Sequence, residues 1–310
     1  MKLPTHLKFT FVACVFASCT VFTVTSLQAQ ILLTANDAGG TSSFNTAGNW
    51  DSGQAPQAGN DYETNGFILK TPDDNGDYTF AGDSLTVNSR MDLVGSGLIT
   101  INDLILDGGN ILANPSSVRL AGNLEILSSS SIFATRTDYK ISSNISGSAT
   151  LQISGWQQNN FPGYRVRFSS SESTFTGNIH VSDGHLLLEE NSRMNFNIYG
   201  NGLNNQIYGF SSGGGSNQYS AATFEGDFYF DLSLASSTIG DSWTVVNVFD
   251  QAFGETFNVV GFANSGTTWT SGNYLFDEGT GTLSVIPEPS ALGIVLFSGM
   301  ALLLFRRRRS

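Results

Sequence analysis

The sequence predicts an all-β protein: a parallel β-helix, or solenoid, followed by a C-terminal β cap region and one C-terminal transmembrane helix. Three observations predict it. Between the termini, apolar and polar residues alternate in short runs, the period-2 pattern of strands. Apolar pairs two residues apart recur at a near-constant interval: Leu85/Val87, Leu104/Leu106 and Leu124/Ile126 follow one another at 19 and then 20 residues. A second series, Ile99/Ile101 and Val118/Leu120, repeats at 19, with Met91/Leu93 and Ile111/Leu112 between. Finally, the runs are broken by turn formers at Gly95-Ser96-Gly97, Asp107-Gly108-Gly109-Asn110 and Asn114-Pro115-Ser116. Three short strands per coil of about twenty residues bury little alone but stack on the next coil to share a core. A β-sandwich would give short strands too, but nothing in it demands a fixed interval. With 13% charged residues and 34 glycines, long helices are disfavoured.

Residues 1–29 read as a secretory signal. Lys2 and Lys8 supply a basic start, Phe9 to Ala17 an apolar core, and Ser26-Leu27-Gln28-Ala29-Gln30 a cleavage site between Ala29 and Gln30. The implied partners are the Sec translocon and signal peptidase. The rival readings are a retained N-terminal membrane helix and a lipoprotein box ending at Cys19, which the apolar run continuing past that cysteine opposes. Both cysteines, Cys14 and Cys19, fall in this segment, so a processed chain has neither a disulfide nor a thiolate metal site.

Residues 30–80 read as an N-terminal β cap segment. Gly48-Asn49-Trp50-Asp51-Ser52-Gly53-Gln54-Ala55-Pro56 is rich in turn formers, and its tryptophan is expected to cover the open end of the stack, where a bare edge invites aggregation. The segment is similar to the N-W-x-x-G-x-x-P opening of exported β-repeat proteins. Asp73-Asp74-Asn75-Gly76-Asp77 has oxygens at calcium-loop spacing, but Tyr78 stands where the loop needs glycine and Ser84 where it needs glutamate. A tight hairpin turn at Asn75-Gly76 is the simpler expectation.

Residues 81–195 carry the solenoid. Within them, Ser146-Gly147-Ser148-Ala149-Thr150-Leu151-Gln152-Ile153-Ser154-Gly155, followed by residues 173–188 (STFTGNIHVSDGHLLL), resembles the autotransporter-associated β-strand repeat. Ala149 replaces a glycine of that pattern, Ser173, Phe175 and Ile179 replace other usual residues, and the insertion from Trp156 to Ser171 is long. The resemblance implies a parallel β-helical body that is structural rather than catalytic. Residues 196–285 form a C-terminal β region, with Phe224–Leu234, Trp243–Phe249, Phe257–Phe262 and Tyr274–Val285 expected as longer antiparallel strands.

Residues 286–310 combine Pro287-Glu288-Pro289, an apolar run from Ala291 to Phe305, and the basic cluster Arg306, Arg307, Arg308 and Arg309. Fifteen residues give about 22 Å of helix, a short span that snorkelling arginines can complete. The arginines place the C-terminus in the cytoplasm and the body outside. This tripartite tail resembles the PEP-CTERM sorting signal of Gram-negative bacteria. The resemblance implies an exosortase-type membrane enzyme as partner, transient inner-membrane anchoring, then a cell-surface or extracellular location. A permanent tail anchor is the rival.

Chemistry is harder to find. Between Lys8 and Arg306 there are eight Lys and Arg against all 26 Asp and Glu, a net charge of −18, which repels phosphate backbones and excludes nucleic acid as partner. His180 and His185, close in sequence across a Ser-Asp-Gly turn, lack further ligands for zinc. Glu189 and Glu190, as strand neighbours, should point to opposite faces and cannot flank one glycosidic bond. Arg165 and Arg167 should share a side, with no carboxylate cluster readable beside them. Asn144-Ile145-Ser146 is a sequon and no more. No catalytic residue, cofactor or metal site is therefore predicted. The expected role is an exported, non-enzymatic structural protein of the cell surface or extracellular matrix, in an exopolysaccharide setting. The alternatives are an adhesin or carbohydrate-binding module, with Trp243 or Trp269 as contacts, and more distantly a polysaccharide-degrading enzyme.

Overall fold

The computed structural model describes residues 29–114, 118–135, 138–155, 164–209 and 220–287. The all-β expectation is met: strands and no helix occur among the described residues. Nineteen strands join one large sheet, and all its pairings are parallel over registers that step forward by one coil at a time. No helix of the described residues is long and apolar enough to cross a membrane. The span expected at 291–305 lies outside them.

The chain winds through three faces in turn. Leu98–Asp107 and Arg119–Ser128 are ten-residue strands that bend from the first face to the second, and Asn110–Ala113 and Ser130–Ala134 lie on the third. On the second face Leu85 stacks on Leu104 and Leu104 on Leu124, while Val87, Leu106 and Ile126 form a parallel column. All six are buried, as the spacing predicts. Each such side chain taken from water is worth about 1.5–3 kcal/mol, and stacking removes both of its sides from solvent.

The other two faces depart from the predicted register. Ile99 stacks on Leu120 and Ile101 on Gly122, a step of 21 rather than 19, so Val118 is not the partner of Ile99. A bulge between Ile101 and Asp103 absorbs the extra residue and returns the second face to a step of 20. Gly122 sits at that corner with φ of +103°, and a Cβ there would lie 1.8 Å from the carbonyl oxygen of Ile101. On the third face the inward pair is Ile111 with Ala113, beneath Met91 and Leu93, because strand alternation turns Leu112 outward.

Both ends of the stack are closed. At the start, Trp50 is buried, donates its indole N–H to the Ser43 carbonyl at 2.7 Å, and packs edge-on against Tyr62 with centroids 4.9 Å apart. Phe44 and Phe80 complete that plug at 5.2 Å. At the far end a five-stranded antiparallel sheet, built from Ser242–Thr244, Ala263–Ser265, Thr268–Ser271, Tyr274–Asp277 and Thr282–Val285, covers a phenylalanine cluster. There Phe228 meets Phe224 and Phe257, each at 5.0 Å.

Parallel pairing extends well past residue 195. Ser220–Phe224 pairs with Asp250–Phe253, Arg193–Asn197 with Asp227–Asp231, and Asp227–Asp231 with Asn258–Val259. The strands expected as antiparallel over 224–234, 243–249 and 257–262 are therefore largely parallel rungs, apart from Ser242–Thr244. Only Tyr274–Val285 matches the antiparallel expectation. Likewise the Asn75-Gly76 turn is a corner between parallel strands. Neither residue has the positive φ of a two-residue hairpin, and Tyr78–Thr79 pairs in parallel with the next coil.

Candidate functional site

The first face gathers a network of charged side chains. Successive rungs place Lys140 on Arg167 and Arg165 on His185. A column of cations one rung apart is repulsive unless anions are interleaved, and Asp138 and Glu189 are interleaved here. Arg165 Nε donates to Asp138 Oδ2 at 2.9 Å, and Arg167 Nη1 reaches the same carboxylate at 3.4 Å. Glu189 accepts from Arg167 Nε at 2.6 Å and from Lys140 Nζ at 2.7 Å. Burial alone would raise the Asp138 carboxyl, but the hydrogen bond and charge of Arg165, with Arg167 behind it, hold it below the usual carboxylate range. The same partnership raises Arg165. Both carboxylates are thus acceptors already engaged by guanidinium groups, which suits a bracing network rather than a proton relay.

A groove of about 440 Å³ opens beside this network, lined by Lys140, Arg167, Glu189, Glu190, Glu225 and Thr256. Sequence reasoning missed it for two physical reasons. Asp138 lies 27 residues before Arg165 because the coil between them is lengthened by the insertion, so no local motif joins them. The strand ends at Leu188, so alternation no longer applies, and Glu189 and Glu190 line the same groove instead of opposite faces. The signal that could have found the cluster is the coil step itself, applied to charged rather than apolar positions.

The remaining candidates are dispersed. His180 and His185 share one strand, Ile179–Leu188, but that strand bends at Gly184, with φ of +123°, from the third face to the first. His180 stacks on Tyr208 with centroids 4.8 Å apart, whereas His185 Nε2 meets Thr223 Oγ1 at 2.8 Å. Asp74 accepts from Gly76 N at 2.8 Å and from the Tyr78 hydroxyl, and Asp77 accepts from Leu98 N at 2.7 Å. These acids are spent on corner geometry, and among the described residues no three His, Cys, Asp or Glu side chains gather as a metal site. Trp243 and Trp269 are both buried, bonded through their indole N–H groups to the Gly200 carbonyl at 2.8 Å and to Glu278 at 2.6 Å, so neither offers a stacking surface.

Of the sorting residues, Ala29 and Gln30 are exposed at the start of the described chain. Ile286 N donates to the Asn273 carbonyl at 2.8 Å, and Pro287 is exposed immediately after it. Glu288, Pro289 and Arg306 to Arg309 lie outside the described residues. No family model, no curated protein and no solved structure matches this chain.

Proposed function

We propose that this chain is an exported, non-enzymatic structural protein of the cell surface or extracellular matrix. Its body is a β-solenoid of the autotransporter-associated-repeat kind, and its tail is a PEP-CTERM-type signal that anchors it in the inner membrane until an exosortase-type enzyme acts. The observation that carries the reading is the parallel ladder itself, running from Ile31 to Val259 and closed at both ends by aromatic clusters. Such a stack is held together by its inter-rung hydrogen bonds and shared core, and its outward positions include Ser, Thr, Asn and acidic side chains suited to a hydrated, polysaccharide-rich setting. The tail reading rests on the sequence of residues 286–310, where Pro287-Glu288-Pro289, the apolar run from Ala291 to Phe305 and Arg306 to Arg309 follow one another.

Intact mass spectrometry of the protein from its native host, comparing membrane and extracellular fractions, tests this. The expected product starts near Gln30 and ends within 287–289. A steady-state species retaining Arg306 to Arg309 in the inner membrane would instead make the tail a permanent anchor.

A further inference from the structure

We infer that the second face carries a binding site for a neutral, hydroxyl-rich glycan, in the groove where residues 171–176, 193–197 and 227–231 stack. The inference deepens the matrix reading above and rests on it for where the ligand is met. Arg193–Asn197 and Asp227–Asp231 pair in parallel, Arg193 against Asp227 and Asn197 against Asp231. Alternation sends Met194, Phe196, Phe228 and Phe230 into the core and turns Arg193, Asn195, Asn197, Tyr229 and Asp231 outward. With Glu172, Thr174 and Thr176 of the preceding coil they enclose about 370 Å³, within the ~300–1,000 Å³ of small-ligand pockets.

Arg193 is the anomaly that points to a ligand. It is the last cation before Arg306, in a body where acids outnumber bases more than threefold. Every other arginine among the described residues has a carboxylate within 4.0 Å, and Arg193 has none. Its Nε is buried with no acceptor, and its guanidinium lies 5.8 Å from the centroid of the Tyr229 ring. Acids are at hand, since Glu172 and Asp231 line the same groove, yet neither comes within 4.0 Å of the guanidinium. Asp231 is fixed there by the backbone N–H of Ser233 at 3.0 Å, and that bond keeps its carboxyl ionised by holding it below the usual range.

The groove therefore presents a cationic donor and anionic acceptors that do not pair with it. A ligand fitting both must accept and donate at once, which a sugar diol does. An anionic sugar would satisfy Arg193 but meet Glu172, Asp231 and the field of an acidic body, and an ammonium would meet Arg193. Tyr229, 41% exposed, supplies an apolar surface for the C–H face of a pyranose ring.

Affinity electrophoresis of the full chain, in a detergent without a sugar headgroup, tests this with gels containing dextran, galactomannan or alginate. Retardation is expected in at least one neutral gel and not in alginate. Arg193→Met and Tyr229→Ala should each weaken it at least tenfold, whereas Tyr229→Phe should keep it. Thr174→Val, a near-isosteric change at an exposed residue of the groove lining, should weaken it several-fold with an unaltered melting midpoint, which covers the case in which a larger change fails to fold. Retardation by neither neutral polymer, stronger retardation by alginate, or Arg193→Met and Tyr229→Ala chains that bind like the original would overturn the inference. A chain that keeps its tail in the membrane but binds a neutral polymer overturns only the sorting reading. A released chain that binds neither overturns only the site.

Discussion

His185 shows how one residue couples to the charge network around it. It is stacked between Arg165 and Ala221 on the first face and bonded to Thr223. Burial pushes its imidazole below the ordinary histidine value of 6.5, and the Arg165 charge pushes it further, against weaker pulls from Asp250 and Asp138. The unfolded chain therefore takes up this proton first as pH falls. Stability from the neutral ring is full above about pH 6.5 and declines below it, toward the lower folded value. Asp138 follows the same sign in a more acidic window, since its carboxyl is also depressed. Urea midpoints measured between pH 7.5 and 5 should fall for the original chain, and His185→Gln should flatten that fall. An equal slope in both would remove His185 from the account.

At the scale of the rung, the coil step is the unit of construction. Deleting residues 104–123 joins Asp103 to Leu124, the residue that stacks on Leu104, and so leaves Leu85 with an equivalent neighbour. The shortened chain should fold with an unchanged β circular-dichroism shape and a modestly lower melting midpoint, because each rung contacts only its neighbours. Deleting residues 104–113, half a step, should abolish the cooperative melt, since it sets one face against another. The same unit explains what was legible beforehand. The second face could be read because its step stays near 20 and its inward residues are Leu, Val and Ile. The first face misled by two residues because glycine, at Gly122, occupies the inward position opposite Ile101 and leaves no apolar signal. Beyond residue 188 the step stretches, with Leu186 pairing Ala222 and Ala222 pairing Gln251, steps of 36 and 29. Intervals that uneven hide the repeat, and the dense aromatics of that end resemble longer sandwich strands. The two grooves were illegible for the same reason: their side chains meet only after three unequal coils are superposed.

At the scale of the molecule, the described chain starts on the first layer of the parallel ladder and ends in the antiparallel sheet that caps its far end. Inter-rung hydrogen bonds run along the stack, and the rungs themselves lie across it. A pull between Gln30 and Pro287 thus opens those bonds in line with the load, rung after rung, instead of shearing many together. In an optical trap, stretching between these residues should give a series of steps. Each step from a twenty-residue rung should lengthen the chain by roughly 70 Å, at ~3.3–3.6 Å per residue. A single all-or-none rip would contradict the picture. The load also enters through Thr282–Val285, which is held on both sides by antiparallel neighbours, so the C-terminal cap is the first part to feel it. A protein fixed to a surface through this end would act as a mechanical fuse of graded length, lengthening under drag while the rungs beyond stay folded.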